Sequence, residues 1–385
     1  MAVPGMFRTA VNLLATRRQP VSIIHFVTNE CNARCPHCFL DFSGDATEVQ
    51  EGSLLSILEA GPGRRKQALS LSEIDALTRR MGNCLNNVNL TGGEPFLRPD
   101  LLEIARLYFR NAGVRTMFVT THGGYPDRIL PFARTLAGEY PDRQLMISIS
   151  IDHFQGEHDR IRGVKGLFDN ALRSYRELER VAANVTANVN LTISHTNHGI
   201  VQELYEHLVG HQGVSSITAG PARDEGVYRQ SPEVKEAVLR SYVALHALIK
   251  RDMESGRLHG FDRSRLSGRL MNAKNDILFD VMVRTKETGE YISPCHAAAV
   301  FGVLGENGDV YPCEILDRPL GNVRDYDYDF MALWRDAAAA DTRRWIRRSH
   351  CHCDFECAWT FNILGNWRYQ PRLVRAALGG PRANP

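Results

Sequence analysis

Three cysteines near the beginning of the chain have a spacing that suits metal chemistry. Cys31, Cys35 and Cys38 form the pattern C-x3-C-x2-C directly behind the apolar run at 21–27. Three thiolates can hold three irons of a cubane iron-sulfur cluster and leave the fourth iron open to a ligand, whereas ferredoxin-type clusters use four cysteines. Structural zinc also prefers four closed ligands. The spacing therefore favours a reactive iron-sulfur cluster, with a zinc site or reduced core thiols as the alternatives.

A second group of cysteines lies toward the other end of the chain. The nine cysteines occupy positions 31, 35, 38, 84, 295, 313, 351, 353 and 357. Asn307-Gly308 separates two apolar runs and predicts a hairpin turn, which would bring Cys295 and Cys313 together. Such clustering suits metal binding better than disulfides, and Cys84, which stands alone, is interpreted as a buried thiol.

Length and charge restrict the classes of protein that fit. A chain of 385 residues is long enough for one large α/β domain with an appendage. Its 46 basic and 44 acidic residues give a net charge of +2, so we expect no nucleic-acid partner. The apolar stretch at 6–15 is short and broken by Arg8, which argues against a signal peptide or a membrane span. We therefore expect a cytoplasmic protein with reduced thiols.

Short apolar runs alternate with helix-length segments over the first 220 residues. This alternation predicts a parallel sheet built from β/α units. Ser70-x-x-Glu73 is a capping box that opens a helix ending at Gly82, and another helix spans 100–112. Further helices are predicted at 168–183, 201–208 and 233–254. The six predicted strands are 21–27, 87–91, 115–120, 145–151, 185–193 and 215–219.

The cysteine motif, together with Asn89-Leu-Thr-Gly-Gly-Glu-Pro95, resembles the radical S-adenosylmethionine (SAM) superfamily. The resemblance implies a partial (β/α)6 TIM-like barrel with a [4Fe-4S] cluster whose open iron chelates the methionine end of SAM. In that family an electron from the cluster cleaves SAM, and the resulting 5′-deoxyadenosyl radical takes a hydrogen atom from the substrate. A reductant such as flavodoxin or ferredoxin is then the implied partner.

The same resemblance assigns roles around SAM. Glu94 would accept a hydrogen bond from the SAM ammonium, while Gly92 and Gly93 would let the backbone approach the ligand. His37 occupies the position beside the adenine. The alternative for the glycine stretch is an ordinary turn after a strand.

Two further SAM contacts are predicted, one in the fourth strand and one after it. Ser150 shares one strand face with Ser148, and we assign the contact to Ser150 because Ser148 could equally be a core hydroxyl. Arg162 lies in a His-Asp-x-x-Arg-Gly segment and would orient the SAM carboxylate, with a solvated arginine as the alternative. His122 stands where the family often has Asn, which weakens the comparison at the third strand.

The second cysteine group resembles the SPASM and twitch extensions, which carry auxiliary clusters. Five cysteines follow position 290, compared with the seven of a full SPASM domain, so we expect one auxiliary [4Fe-4S] cluster. Cys295, Cys313 and Cys357 are the firmest ligands, and Cys351 or Cys353 supplies the fourth. His352 and a zinc site remain alternatives. Glu314 would act as a catalytic base, the alternative being a surface carboxylate on the hairpin.

These patterns divide the chain and suggest its activity. The predicted parts are an N-terminal helical extension (1–20), a radical SAM core (21–230), a linking helical segment (231–290), a SPASM/twitch-like region (291–365) and a basic tail (366–385). The polar segment at 41–69 fits a lid, a partner surface or a solvated insertion. We predict an enzyme that oxidises or modifies a small molecule such as a sugar, a lipid or a natural-product intermediate. The alternatives are a peptide-modifying maturase and a noncatalytic zinc or iron-sulfur scaffold.

Overall fold

The computed structural model describes residues 9–40, 67–224, 228–260 and 266–378. Most of the predicted segment 41–69 therefore lies outside the described residues. The strands found within them are β1 (Ser22–Thr28), β2 (Asn87–Gly92), β3 (Thr116–Thr121), β4 (Gln144–Ser150), β5 (Val185–Ile193), β6 (Ile217–Pro221), β7 (Phe301–Leu304), β8 (Asp309–Tyr311) and β9 (Gly321–Asn322).

Helices separate the strands as the alternation predicts. The α-helices are α1 (Leu71–Met81), α2 (Leu101–Asn111), α3 (Pro126–Glu139), α4 (Gln155–Arg162), α5 (Leu167–Leu178), α6 (Val201–Glu206), α7 (Pro232–Glu254), α8 (Leu266–Thr288), α9 (Phe330–Arg335), α10 (Ala337–Arg348), α11 (Glu356–Leu364) and α12 (Gln370–Leu378). Ser70 and Glu73 form the predicted capping box at α1. Short π-helical turns occur at Asn12–Thr16 and His207–His211.

All nine strands belong to one sheet with the order β6-β5-β4-β3-β2-β1-β7-β8-β9. Strands β1 to β6 pair in parallel with their sequence neighbours, which confirms the predicted α/β fold with a partial barrel. Strand β7 also pairs in parallel with β1, and β8 and β9 continue it antiparallel. The C-terminal region therefore extends the core sheet.

The two faces of the central strands differ in burial. In β4, Leu145, Ile147 and Ile149 are buried among the helices, whereas Ser148 and Ser150 are half-buried on the opposite, inner face. The alternation reflects the two-residue period of a strand whose one face meets helices and whose other face lies on the inner side of the sheet. Register then places Ser148 beside Thr120 and Ser150 beside Asn190 on that inner face.

The C-terminal helices are more closely packed than the sequence indicates. Leu373 of α12 is buried with Ile277 of α8 and Ile363 of α11 in a separate apolar cluster. The predicted basic tail (366–385) therefore includes a packed amphipathic helix, α12, whose arginines lie on its exposed side. No helix among the described residues is long and apolar enough to cross a membrane.

Candidate functional site

The three N-terminal cysteines lie on the loop that follows β1. This loop is fixed by backbone hydrogen bonds from Cys38 N to Cys35 O (3.0 Å) and from Arg34 N to Arg162 O (2.9 Å). Burial raises the pKa of the Cys31 thiol to about 11 and that of Cys38 to about 12, and neighbouring thiols add to both shifts. The close spacing of the three thiols suits a soft metal ion, which binds the thiolate form and must displace their protons.

Gly92 and Gly93 hold the end of β2 directly against the cysteine loop. A Cβ on Gly92, whose φ is +145°, would lie 2.1 Å from Thr28 O, and one on Gly93 would lie 2.2 Å from Glu30 O. Gly93 N and Glu94 N donate to these same carbonyls over 2.9 and 2.8 Å. In this structure the glycines permit close approach of protein backbone to protein backbone, and their predicted approach to a ligand stays a prediction.

Glu94 is a buried carboxylate surrounded by neutral donors. Its Oε1 accepts from Thr121 Oγ1 (2.7 Å) and Phe96 N (3.0 Å), and its Oε2 accepts from His122 N (2.9 Å). The only basic side chain within 4 Å of it among the described residues is His122, at 3.4 Å. A buried anion with so little positive charge nearby is suited to receiving a cationic ligand group.

His122 connects the end of β3 to the cysteine loop. Its Nδ1 accepts from Gly124 N (2.9 Å), so Nε2 carries the proton and donates to Asn32 Oδ1 (2.9 Å). Burial lowers the pKa of His122, although Glu94 opposes the shift. A neutral histidine therefore joins the loop to Glu94, a role that the family comparison did not suggest for this position.

Arg162 and Asp152 form a buried ion pair beneath the cysteine loop. Arg162 Nε donates to Asp152 Oδ2 over 3.1 Å, and its Nη2 also contacts that oxygen. Thr192 N donates to Oδ1 over 2.9 Å, and His37 Nε2 lies 3.5 Å from Oδ2. Burial alone would raise the pKa of Asp152, but Arg162 and His37 hold it well below its usual range.

The alternative of a solvated Arg162 is thus wrong, because the residue is only 7% exposed. Its Nη1 donates no hydrogen bond to the described residues, and the predicted contact with the SAM carboxylate stays a prediction. The sequence analysis assigned no role to Asp152. An aspartate directly after a strand, followed ten residues later by an arginine, was the available signal.

The five C-terminal cysteines pack into one apolar cluster, which also includes Cys38. Burial raises the pKa of Cys313 to about 12, with Cys295 and Cys351 contributing, and raises that of Cys353 strongly, with Cys295 and Cys313 contributing. Burial likewise raises the pKa of Cys357 to about 12, but there the next strongest influence is Glu314. The hairpin of β7 and β8 turns at Gly308 (φ +91°), as predicted.

His352 is turned away from these thiols. Its Nδ1 lies 2.8 Å from His350 O and its Nε2 lies 2.8 Å from Gly289 O. Within the described part of the chain, no three His, Cys, Asp or Glu side chains converge on a single metal ion. In a cubane each thiolate binds a different iron, so the sulfurs need not meet at one position.

Glu314 belongs to a stacked ion pair between the two cysteine groups. It is 3% exposed, so the alternative of a surface carboxylate is wrong. Arg223, just beyond β6, donates to both of its oxygens over 3.1 and 3.4 Å. The guanidinium lies 4.4 Å from the ring centre of Phe39 and 4.1 Å from that of Phe355. This stack links the first cysteine loop to the second cysteine region.

Two further charged residues, which the sequence did not indicate, lie beside this stack. Burial raises the pKa of Glu356, the first residue of α11, although Arg223 and Lys274 act in the opposite direction. Lys274 of α8 is 5% exposed, and its burial lowers its pKa to about 8 against the attraction of Glu356. Its Nζ donates to Thr360 Oγ1 over 3.4 Å.

Comparisons with known proteins fit this arrangement. Residues 26–208 match the family model of the Radical SAM superfamily. The AdoMet-dependent heme synthase of Methanosarcina barkeri is 24% identical over 333 residues, which cover 84% of this chain and 85% of that protein. The pre-heme d1 synthase of Dinoroseobacter shibae is 26% identical over 256 residues, covering 64% and 54%. The structure of native anSMEcpe with bound AdoMet shares the fold, with a TM-score of 0.57, 16% identity and coverage of 93% and 99%.

Proposed function

We propose that this chain, whose residues 26–208 match the Radical SAM superfamily, cleaves SAM reductively and removes a hydrogen atom from a small-molecule substrate. When bound, a [4Fe-4S] cluster with SAM supplies the electron and the 5′-deoxyadenosyl radical. The protein's own contribution is to hold the cluster, orient SAM and exclude water. Cys31, Cys35 and Cys38 are the proposed cluster ligands.

The observation that carries this proposal is the direct backbone contact between the cysteine loop and the strand end that holds Glu94. Three thiols and one buried carboxylate are fixed together by bonds that tolerate no side chain at Gly92 or Gly93. Glu94 keeps a carboxylate lone pair beyond its three hydrogen bonds, and an ammonium group would compensate its buried charge. This combination suits a ligand that chelates iron through an amino acid end.

Other residues would then complete the SAM site. Asp152 binds the Nε and Nη2 groups of Arg162 and so fixes the orientation of the guanidinium. Its Nη1 group donates no hydrogen bond to the described residues and can donate to a ligand. His37 lies 3.5 Å from the Asp152 carboxylate, in the cysteine loop that we assign to the adenine of SAM. Ser150 is half-buried on the inner face of β4, where a ribose or carboxylate could accept its hydrogen bond.

Anaerobic reconstitution with iron and sulfide tests the proposal. The wild type should release 5′-deoxyadenosine when SAM and dithionite are added, and its reduced cluster spectrum should change on SAM binding. A variant with alanine at positions 31, 35 and 38 should lose both responses. C84A is the matched control, because Cys84 packs against the main core away from this loop. A wild-type protein that holds iron but gives no spectral response to SAM would refute the proposal and favour an electron-transfer or zinc scaffold.

We further propose one auxiliary [4Fe-4S] cluster in the C-terminal region. The burial of five thiols in one cluster supports it. The proposed ligands are those that the sequence predicts: Cys295, Cys313 and Cys357, with Cys351 or Cys353 as the fourth. We expect about eight irons per wild-type chain. C357A should lose about four, and of C351A and C353A only the variant that removes the fourth ligand should do so. Full iron retention in C357A would remove Cys357 from the ligand set.

The choice of a small molecule as the substrate is supported by the named relatives and by the polar inner faces of the strands. The relatives named above as synthases of heme and pre-heme d1 favour a small molecule over a peptide. Polar residues on the inner strand faces, such as Ser148 and Asn190, provide a lining for such a compound. Glu314 is available beside the proposed auxiliary site as a substrate base, with Arg223 setting its orientation. Peptide modification remains the alternative, and substrate screening against both compound classes would separate the two.

A further inference from the structure

The last parallel strand ends against a carboxylate of the C-terminal region. Register pairs Thr192 with Gly220 and Asn190 with Thr218, so Gly220 lies on the inner face of β6, in line with the polar residues of the cavity. A Cβ on Gly220 would lie 2.6 Å from Glu356 Oε1. The absence of a side chain at this position therefore lets the Glu356 carboxylate reach the inner end of the barrel.

Glu356 has a charged environment but accepts no hydrogen bond from the described side chains or backbone. Glu356 is a half-buried residue. Arg223 is the nearest strong cation, but its two terminal nitrogens donate to Glu314 and its plane is covered by Phe39 and Phe355. Lys274 donates to Thr360 and forms no direct ion pair with Glu356.

A half-buried carboxylate without donors binds a hydrogen-bond donor strongly, because its desolvation has not been offset by protein contacts. The positive charge of Arg223 is largely compensated by its partner, and Lys274 is 5% exposed behind α11. Lys286, the third cation that acts on Glu356, is paired with Asp354. A group that binds the ionised carboxylate by hydrogen bonding would be a donor, and a protonated amine provides both donors and charge.

We propose that Glu356 is a substrate-binding residue that accepts a hydrogen bond from a protonated amine of the substrate. The inference rests on the proposed function and narrows its substrate class to amine-bearing small molecules. Gly220 is the positioning residue, since it determines whether the carboxylate can occupy the inner end of β6. Phe355, which precedes Glu356, and Phe39, which follows Cys38, contact the same arginine, so Arg223 links the region of Glu356 to the first cysteine loop.

Small probes test the site without knowledge of the natural substrate. Binding of cyclohexylammonium to the reconstituted enzyme with SAM is measured by ligand-observed NMR, in parallel with N,N,N-trimethylcyclohexylammonium and cyclohexanecarboxylate. We expect cyclohexylammonium to bind at least ~10-fold more tightly than either comparison compound, because only it offers N–H donors to a carboxylate. E356Q should weaken its binding by ~10-fold or more.

G220A should weaken binding to a similar extent, because its methyl group displaces the carboxylate. G199A is the matched control, since a Cβ there meets nothing within 4 Å. Circular dichroism and thermal melting verify that each variant folds. Equal binding to the wild type and E356Q, tighter binding of the carboxylate probe, or no cyclohexylammonium binding would each overturn the inference. Release of 5′-deoxyadenosine, measured in the same samples, tests the proposed function separately.

Discussion

Removing the Asp152 carboxylate should destabilise the fold far more than removing an exposed carboxylate. Asp152 is 1% exposed and is the ion-pair partner of Arg162, which is itself buried. D152A would leave the guanidinium uncompensated, a change that costs about 3–5 kcal/mol in buried pairs. Thr192 N would also lose its acceptor, but the two losses overlap, so we expect a total near 4 kcal/mol.

The measurement is urea unfolding of the anaerobic apoprotein at pH 7.5, followed by circular dichroism. D127A is the matched control, because Asp127 has an 84% exposed side chain and pairs with Arg173 only at the surface. That variant should lose less than about 1 kcal/mol. The double variant D152L/R162M should recover part of the loss, since it removes both charges and keeps volume in the core. A D152A protein that unfolds within about 1 kcal/mol of D127A would show that the pair is not buried as described.

Two other changes test different parts of the structure. G93A should lose most of the iron bound by the first cysteine group, because a Cβ there would lie 2.2 Å from Glu30 O, whereas the control G199A should keep its iron. The measurement is iron and sulfide analysis of the reconstituted proteins. Full iron retention in G93A would contradict the close backbone contact. Burial lowers the pKa of His25 to about 3 in the folded protein, and the nearby charge of Arg98 contributes to this shift. Between about pH 6.5 and 3 the unfolded chain therefore binds a proton that the folded protein does not. The free energy of unfolding should fall as the pH falls through that range. H25Q should reduce this pH dependence by up to about 1.4 kcal/mol per pH unit in urea unfolding, and an unchanged slope would mean that His25 is accessible to protons in the fold.

Local patterns in the sequence were sufficient for the six parallel strands of the core. Strand β5 begins and ends where the apolar run predicts, and the other core strands agree to within two residues. These features depend on residues close together in the chain: the two-residue period of a strand, the capping box at Ser70, and Asn307-Gly308 in the hairpin. The family also followed from two short motifs, because their chemistry requires specific residue types at fixed spacing.

The burial of charged residues could not be read from local patterns. Arg162 and Glu314 each had a solvated alternative in the sequence, and each is buried because an oppositely charged partner compensates its charge. Glu314 and Arg223 are 91 residues apart, so no periodicity connects them. The hydrogen bond between His122 and Asn32 likewise joins residues that are 90 positions apart in the chain, so local patterns could not predict it.

The sequence by itself determined which residues can bind iron and which segments form the parallel strands, because thiol chemistry and strand periodicity are local properties. Only the tertiary structure decided how the two cysteine regions are connected. Strand β7 pairs with β1, and this pairing places the second cysteine group beside the first through Phe39, Arg223 and Phe355. Such contacts depend on the path of the whole chain, since burial and long-range pairing are set by packing rather than by neighbouring residues.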